Sequence, residues 1–140
     1  SSLDLRSLRG PYSIGAVIDT QIAAHEPEFG LTRLEFKAQS LHVPFQPLGI
    51  GEPLRIHILS SDVSLALAPV TVPTSVLNVL EATVIEIRKV DQATVDVKLD
   101  VGAPLVASIT RKSLAKLALK PGQRVYAHIK SVALSEELSD

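Results

Sequence analysis

A run of eight residues occurs twice in this chain, and it constrains the fold more than any other feature. Gly51-Glu-Pro-Leu-Arg-Ile-His-Ile58 returns as Gly122-Gln-Arg-Val-Tyr-Ala-His-Ile129, with Gly, His and Ile at matching positions. Ala16-Val-Ile-Asp19 echoes Thr83-Val-Ile-Glu86, and residues 31–36 lie about where residues 93–98 lie in the second copy. Repeats of this kind are supersecondary units that bury their apolar faces against one another. The expectation is two related β-units, at 15–70 and 71–140, joined across Ala68-Pro69 to Pro73. Residues 1–14 mix charge, Ser, Gly and Pro and read as a lead-in. Chance likeness between short strands is the competing reading.

What the units are made of follows from the side chains. Aromatic residues are 4% of the chain while apolar residues are 46%, so the core is built from Val, Leu, Ile and Ala. β-Branched side chains pack well on a pleated surface. The clearest strand runs are 31–36, 54–59, 84–87, 94–99, 105–109 and 124–132. Val95, Val97 and Leu99 alternate with Thr94, Asp96 and Lys98, and Val125, Ala127 and Ile129 alternate with Tyr126, His128 and Lys130. One stretch differs: Leu114, Leu117 and Ala118 fall at i, i+3 and i+4, the spacing of a short amphipathic helix. Thr110 stands at its N-cap and Lys120-Pro121-Gly122 at its end. Asp91-Gln92 and Val101-Gly102 read as turns. The fold class expected is all-β: two small OB-like barrel units, with one short helix in the second.

Several functions are excluded. The formal net charge is −1, with no basic stripe and no aromatic platform, which argues against nucleic acid as a partner. Cysteine is absent, so neither disulfides nor thiolate metal sites are available. No apolar run approaches the roughly 18 residues of a membrane-spanning helix. Phosphate loops and nucleophile elbows are missing, so catalysis is not expected. The four histidines, at 25, 42, 57 and 128, show no ligand spacing, and His57 and His128 occupy matched strand positions. Met is absent even at position 1, which suggests a piece of a longer protein.

The most informative chemistry is Ile109-Thr-Arg-Lys-Ser113 together with Ile129-Lys-Ser131. Thr110 and Ser113 sit at N-cap and N3 of the helix, where a hydroxyl satisfies an orphan N–H. The same donors, with Ser131 and the charge of Lys130, suit a tetrahedral dianion. Residue chemistry leaves both readings open.

Residues 74–134 resemble the Mop (TOBE-type) molybdate-binding module. The pieces that carry the likeness are Ser75-Val-Leu-Asn-Val-Leu80, Ala82-Thr-Val-Ile85, Ile109–Ser113, Leu119-Lys-Pro-Gly122 and Tyr126-Ala-His-Ile-Lys-Ser-Val132. By position, the resemblance implies molybdate or tungstate held by Ser75, Asn78, Thr110, Ser113, Lys130 and Ser131, with main-chain amides, at an interface between modules. The family often has Arg where this chain has Leu77. Phe29-Gly-Leu-Thr32, His42-Val-Pro44 and Ser61-Asp-Val-Ser-Leu-Ala-Leu67 resemble the stretch after the ATPase domain in molybdate-importer ATP-binding subunits.

The resemblance thus implies a non-catalytic regulatory and dimerisation module that senses cytoplasmic oxyanion. It has no cofactor of its own; ATP and magnesium belong to an ATPase domain ahead of Ser1. Its partners would be a second copy and, through that domain, membrane permease subunits on the inner face of the cell membrane. The other readings are a free-standing molybdate storage protein, the effector part of a molybdate-responsive regulator, and a purely structural dimerisation domain.

Overall fold

Period-two alternation carries through the longer strands of a computed structural model that describes residues 15–134. The strands are β1 (Gly15–Glu26), β2 (Leu31–Phe36), β3 (Gln39–Pro44), β4 (Pro53–Leu59), β5 (Val63–Ala66), β6 (Asn78–Lys89), β7 (Thr94–Asp100), β8 (Pro104–Thr110), β9 (Arg124–Ile129) and β10 (Ala133–Leu134), with one helix, α1 (Arg111–Leu117). They form two five-stranded sheets, in the orders β10-β4-β1-β2-β3 and β5-β9-β6-β7-β8. Val95, Val97 and Leu99 are buried, as are Val125, Ala127 and Ile129, and they join Ile18, Leu34, Ile56, Leu80 and Leu105 in one apolar core. The second sheet curls until β8 packs against β5 at its opposite edge. Mostly strand with one helix, this is the OB-like class expected.

The two stretches share several backbone features. Each unit opens on a strand of 12 residues. Each such strand carries a bulge, between Ile22 and Ala24 in β1 and between Val84 and Glu86 in β6. At the bulges, Gly51 N–H donates to the Ile22 carbonyl and Gly122 N–H to the Val84 carbonyl, at 2.8 and 2.7 Å. Both glycines have positive φ, 91° and 89°.

Two of the sequence echoes are out of register. Ala16 pairs with Ile58 as Asn78 pairs with Ile129, so Ala16 is equivalent to Asn78 and not to Thr83. Leu34 opposes Ile22 as Leu99 opposes Val84, which shifts residues 31–36 onto 96–101. Short Val/Ile/Thr runs drawn from a small alphabet match at several offsets, and only the ladder selects one.

Other differences lie at breaks. The sequence carries no signal for β3, because its hairpin turn is Lys37-Ala38, with φ of 47° and 66° and no Gly or Asn to announce it. α1 ends at Leu117, ahead of the Pro-Gly signal, because Ala118 adopts a left-handed φ of 51° and its N–H returns to Leu114 and Ala115 carbonyls.

The sheets also cut across the 70/71 boundary. β5 follows β4 in the chain yet pairs with β9, Val63 opposite Ile129. β10 follows β9 and pairs with β4, Ala133 opposite His57. Each unit lends its last strand to the other. The outer hairpins lean across in the same reciprocal way, β3 onto β6 and β8 onto β1.

Candidate oxyanion site

Crossing from one sheet to the other forces irregular backbone just after β9, and this is where Lys130 and Ser131 lie. β6 begins at Asn78 opposite Ile129, so Leu77 and Lys130 flank the same end of the ladder. Lys130 N–H donates to the Asp62 carbonyl at 2.8 Å, in the 3₁₀ turn of Ser60–Asp62 that precedes β5. That main-chain amide is therefore committed within the fold. Lys130 and Ser131 are exposed, and among the described residues no carboxylate pairs with Lys130. Ser75 is exposed three residues ahead of β6. Its neighbour Thr74 shapes the approach, because Thr74 Oγ1 accepts Val76 N–H at 2.9 Å. Leu77 is 59% exposed.

Thr110 and Ser113 form the helix cap. Ser113 N–H donates to Thr110 Oγ1, and the Thr110 hydroxyl donates to Ser113 Oγ, each at 3.0 Å. The cap uses the Thr110 oxygen as acceptor and the Thr110 proton goes to Ser113 Oγ, which leaves the Ser113 hydroxyl proton available to an outside acceptor. The two readings of this pair are therefore compatible. Arg111 anchors the cap to the preceding hairpin, its N–H donating to the Ala93 carbonyl at 2.7 Å and its guanidinium to the Gln92 carbonyl at 2.8 Å. β8, which ends at Thr110, packs against the Ser60–Asp62 turn that receives Lys130. Asn78, Lys130 and Ser131 thus share one strand end, and the cap reaches it through that turn; no hydrogen bond joins the two groups among the described residues.

Asn78 is engaged. Its carboxamide bonds to the main chain of His42, N–H to Oδ1 at 2.7 Å and Nδ2 to carbonyl at 2.9 Å. Sequence reasoning missed this contact, because it joins residues 36 positions apart across the two units. The equivalent strand end in the first unit carries Gly15, Ala16, Leu59 and Ser60 in place of Leu77, Asn78, Lys130 and Ser131. It offers no cation, and its Ser60 hydroxyl is buried without a partner, the residue being 1% exposed.

His57 and His128 lie on the outer sheet faces, opposite Val17 and Val79. Burial lowers the His57 pKa from its ordinary 6.5. Among the described residues no three His, Cys, Asp or Glu side chains cluster as metal ligands would. Two clefts, of about 360 and 490 Å³, lie where each outer hairpin leans on the other unit. Their walls include none of the six implied residues.

Residues 74–135 match the TOBE domain. The molybdenum import ATP-binding protein ModC of Aromatoleum aromaticum is 43% identical over 119 residues, 84% of this chain and 31% of the relative. ModC 1 of Azotobacter vinelandii is 42% identical over 122 residues, 86% of this chain and 34% of the relative. The chain thus spans about a third of the length of these relatives. A crystal structure of the cytoplasmic molybdate-binding protein ModG with molybdate bound superimposes with a TM-score of 0.72 at 20% identity, covering 84% of this chain and 94% of that one, a likeness of fold. The matched region is a TOBE region and not an ATP-hydrolysing domain. Residues 74–135 are a TOBE domain, and over 84–86% of its length the chain is similar to molybdenum import ATP-binding proteins.

Proposed function

We propose that the chain is the oxyanion-binding regulatory region of a molybdate importer's ATP-binding subunit, taking molybdate or tungstate at the strand end of Lys130 and Ser131. The observation that carries this is Lys130 itself, an exposed ammonium without a partner among the described residues, inside the TOBE span and opposite the start of β6. Ser131, Ser75 and the Ser113 hydroxyl supply neutral donors, Thr110 holds Ser113, and Asn78 stands at the start of β6 beside them. One ammonium under-compensates a dianion, which favours a site shared with a second copy. ATP hydrolysis and contact with permease subunits belong to the rest of such a subunit, at the cytoplasmic membrane face.

Calorimetric titration with molybdate tests the reading. Lys130→Ala should lose at least ten-fold in affinity, since a hydrogen bond to a charged group contributes about 1.5–3 kcal/mol. Leu77→Arg places a planar donor fork beside Lys130 and should gain about as much. If Lys130→Ala binds as the parent does, the anion is elsewhere or absent.

A second reading, dimerisation without anion, is favoured by the apolar stripe that Leu77 and Val79 expose, the latter at 40%. Sedimentation would then show a dimer while molybdate gives no heat.

A further inference from the structure

Asn78 and Gln39 form a reciprocal stitch between the two units. β3 is the outer strand of its sheet, and the N–H and carbonyl of His42 are both taken by Asn78 across the gap to β6. Three residues along each strand the roles reverse. The Gln39 carboxamide of β3 bonds to the main chain of β6, accepting Glu81 N–H at 2.9 Å and donating to the Glu81 carbonyl at 2.9 Å. It donates also to the Val101 carbonyl at 2.6 Å. A carboxamide presents one acceptor and one donor side by side, as a strand edge does. Positions 78 and 81 therefore meet 42 and 39 as an antiparallel ladder in which two side chains stand in for missing backbone.

The repeat supplies an internal control. Where β8 leans on β1, the equivalent positions are Ala16, Asp19, Ala103 and Val106, which carry no carboxamide. The stitched crossing lies only beside the strand end that bears Lys130. The unstitched one lies beside Leu59.

From this asymmetry we infer that Asn78 is a positioning residue for the oxyanion site and not one of its ligands. With Gln39 it fastens the start of β6 to β3 of the first unit. That holds Ser75 and Leu77 in place relative to Lys130 and Ser131. The first unit, which has no cation at its own strand end, serves as the brace for the second. This inference rests on the oxyanion reading above.

The test pairs Asn78→Ala with Gln39→Ala in the full chain, because Gln39 loosens the same stitch from a position outside the anion set. Molybdate affinity is measured by calorimetry. Exchange of the His42 amide is followed by NMR without anion, with the Leu34 and Leu99 amides reporting that the fold is intact. Both variants should bind molybdate about five- to ten-fold more weakly, the worth of a lost hydrogen bond or two. The His42 amide should exchange about ten-fold faster in Asn78→Ala. If Asn78→Ala weakens binding while Gln39→Ala binds as the parent, Asn78 is a ligand and the inference fails. It fails equally if both variants bind as the parent does. Should the unaltered chain give no heat with molybdate, the oxyanion reading itself falls, and the brace falls with it.

Discussion

His57 shows how one side chain can make the stability of this fold depend on pH. The ring sits on the outer face of β4 with Val17 on one side and Ala133 of the exchanged strand on the other. Burial opposes its charged form, so the folded pKa lies below 6.5 while the unfolded chain keeps the ordinary value. Above about pH 6.5 both states hold a neutral ring and His57 has no effect. As pH falls below 6.5 the unfolded chain takes up a proton that the folded chain refuses, and stability drops until the folded pKa is passed. Thermal midpoints at pH 7.5 and 5.5 should therefore fall further in the parent than in His57→Gln. An equal fall in both would assign the acid sensitivity to other groups. A different device holds Thr32, a buried hydroxyl inside an apolar ladder. It accepts Gln46 N–H at 2.9 Å and is hydrogen-bonded to His25 Nδ1 at 2.9 Å, while His25 Nε2–H donates to the Leu48 carbonyl at 2.7 Å. The carbonyl can only accept, so the proton of that bond sits on Nε2.

At the scale of elements, the bulge and its glycine are what make the two units alike. Gly51 and Gly122 meet no atom within 4 Å of a built Cβ, so space is not the constraint. Their positive φ is. Gly122→Ala should cost about 1–2 kcal/mol from left-handed backbone alone, and Gly51→Ala a similar amount. Denaturant midpoints would read the loss, and an unchanged midpoint would mean that the turn re-forms with negative φ. This element was legible in the sequence, because Gly51 and Gly122 each precede an alternating strand that carries His-Ile near its end. The strands with clean alternation, β2, β4, β7 and β9, were legible for the same reason. β3 was not, since Lys37 and Ala38 make its turn without glycine, and neither were β5 and β10, too short to alternate. The cap of Thr110 on Ser113 could be read from spacing, which is local. The union of Asn78 with His42 could not, because no local pattern encodes a side chain that bonds to another unit's backbone. The six implied residues came from likeness to a family, and the geometry orders them: one strand end, one cap, one stitch.

For the whole molecule the governing fact is that neither half contains its own sheet. Residues 15–62 lack β10 and residues 77–134 lack β5, so each half leaves a strand edge uncovered. A piece of about 60 residues is already marginal in the surface it can bury. Expressed separately, residues 15–76 and 77–140 should each fail to show a cooperative thermal transition, and mixing them should restore one. Cooperative unfolding of either piece alone would show that the borrowed strand is dispensable. Such a mixture would also behave unlike the intact chain in one respect. Two separate pieces meet by diffusion, so their folded fraction falls on dilution as any association does. The connection through residues 67–77 makes the same meeting intramolecular, at the millimolar effective concentration a short tether provides. Joining the two halves in one chain thus makes their meeting independent of a separately supplied piece, and on dilution the intact chain's folded fraction should fall far less than that of the mixture.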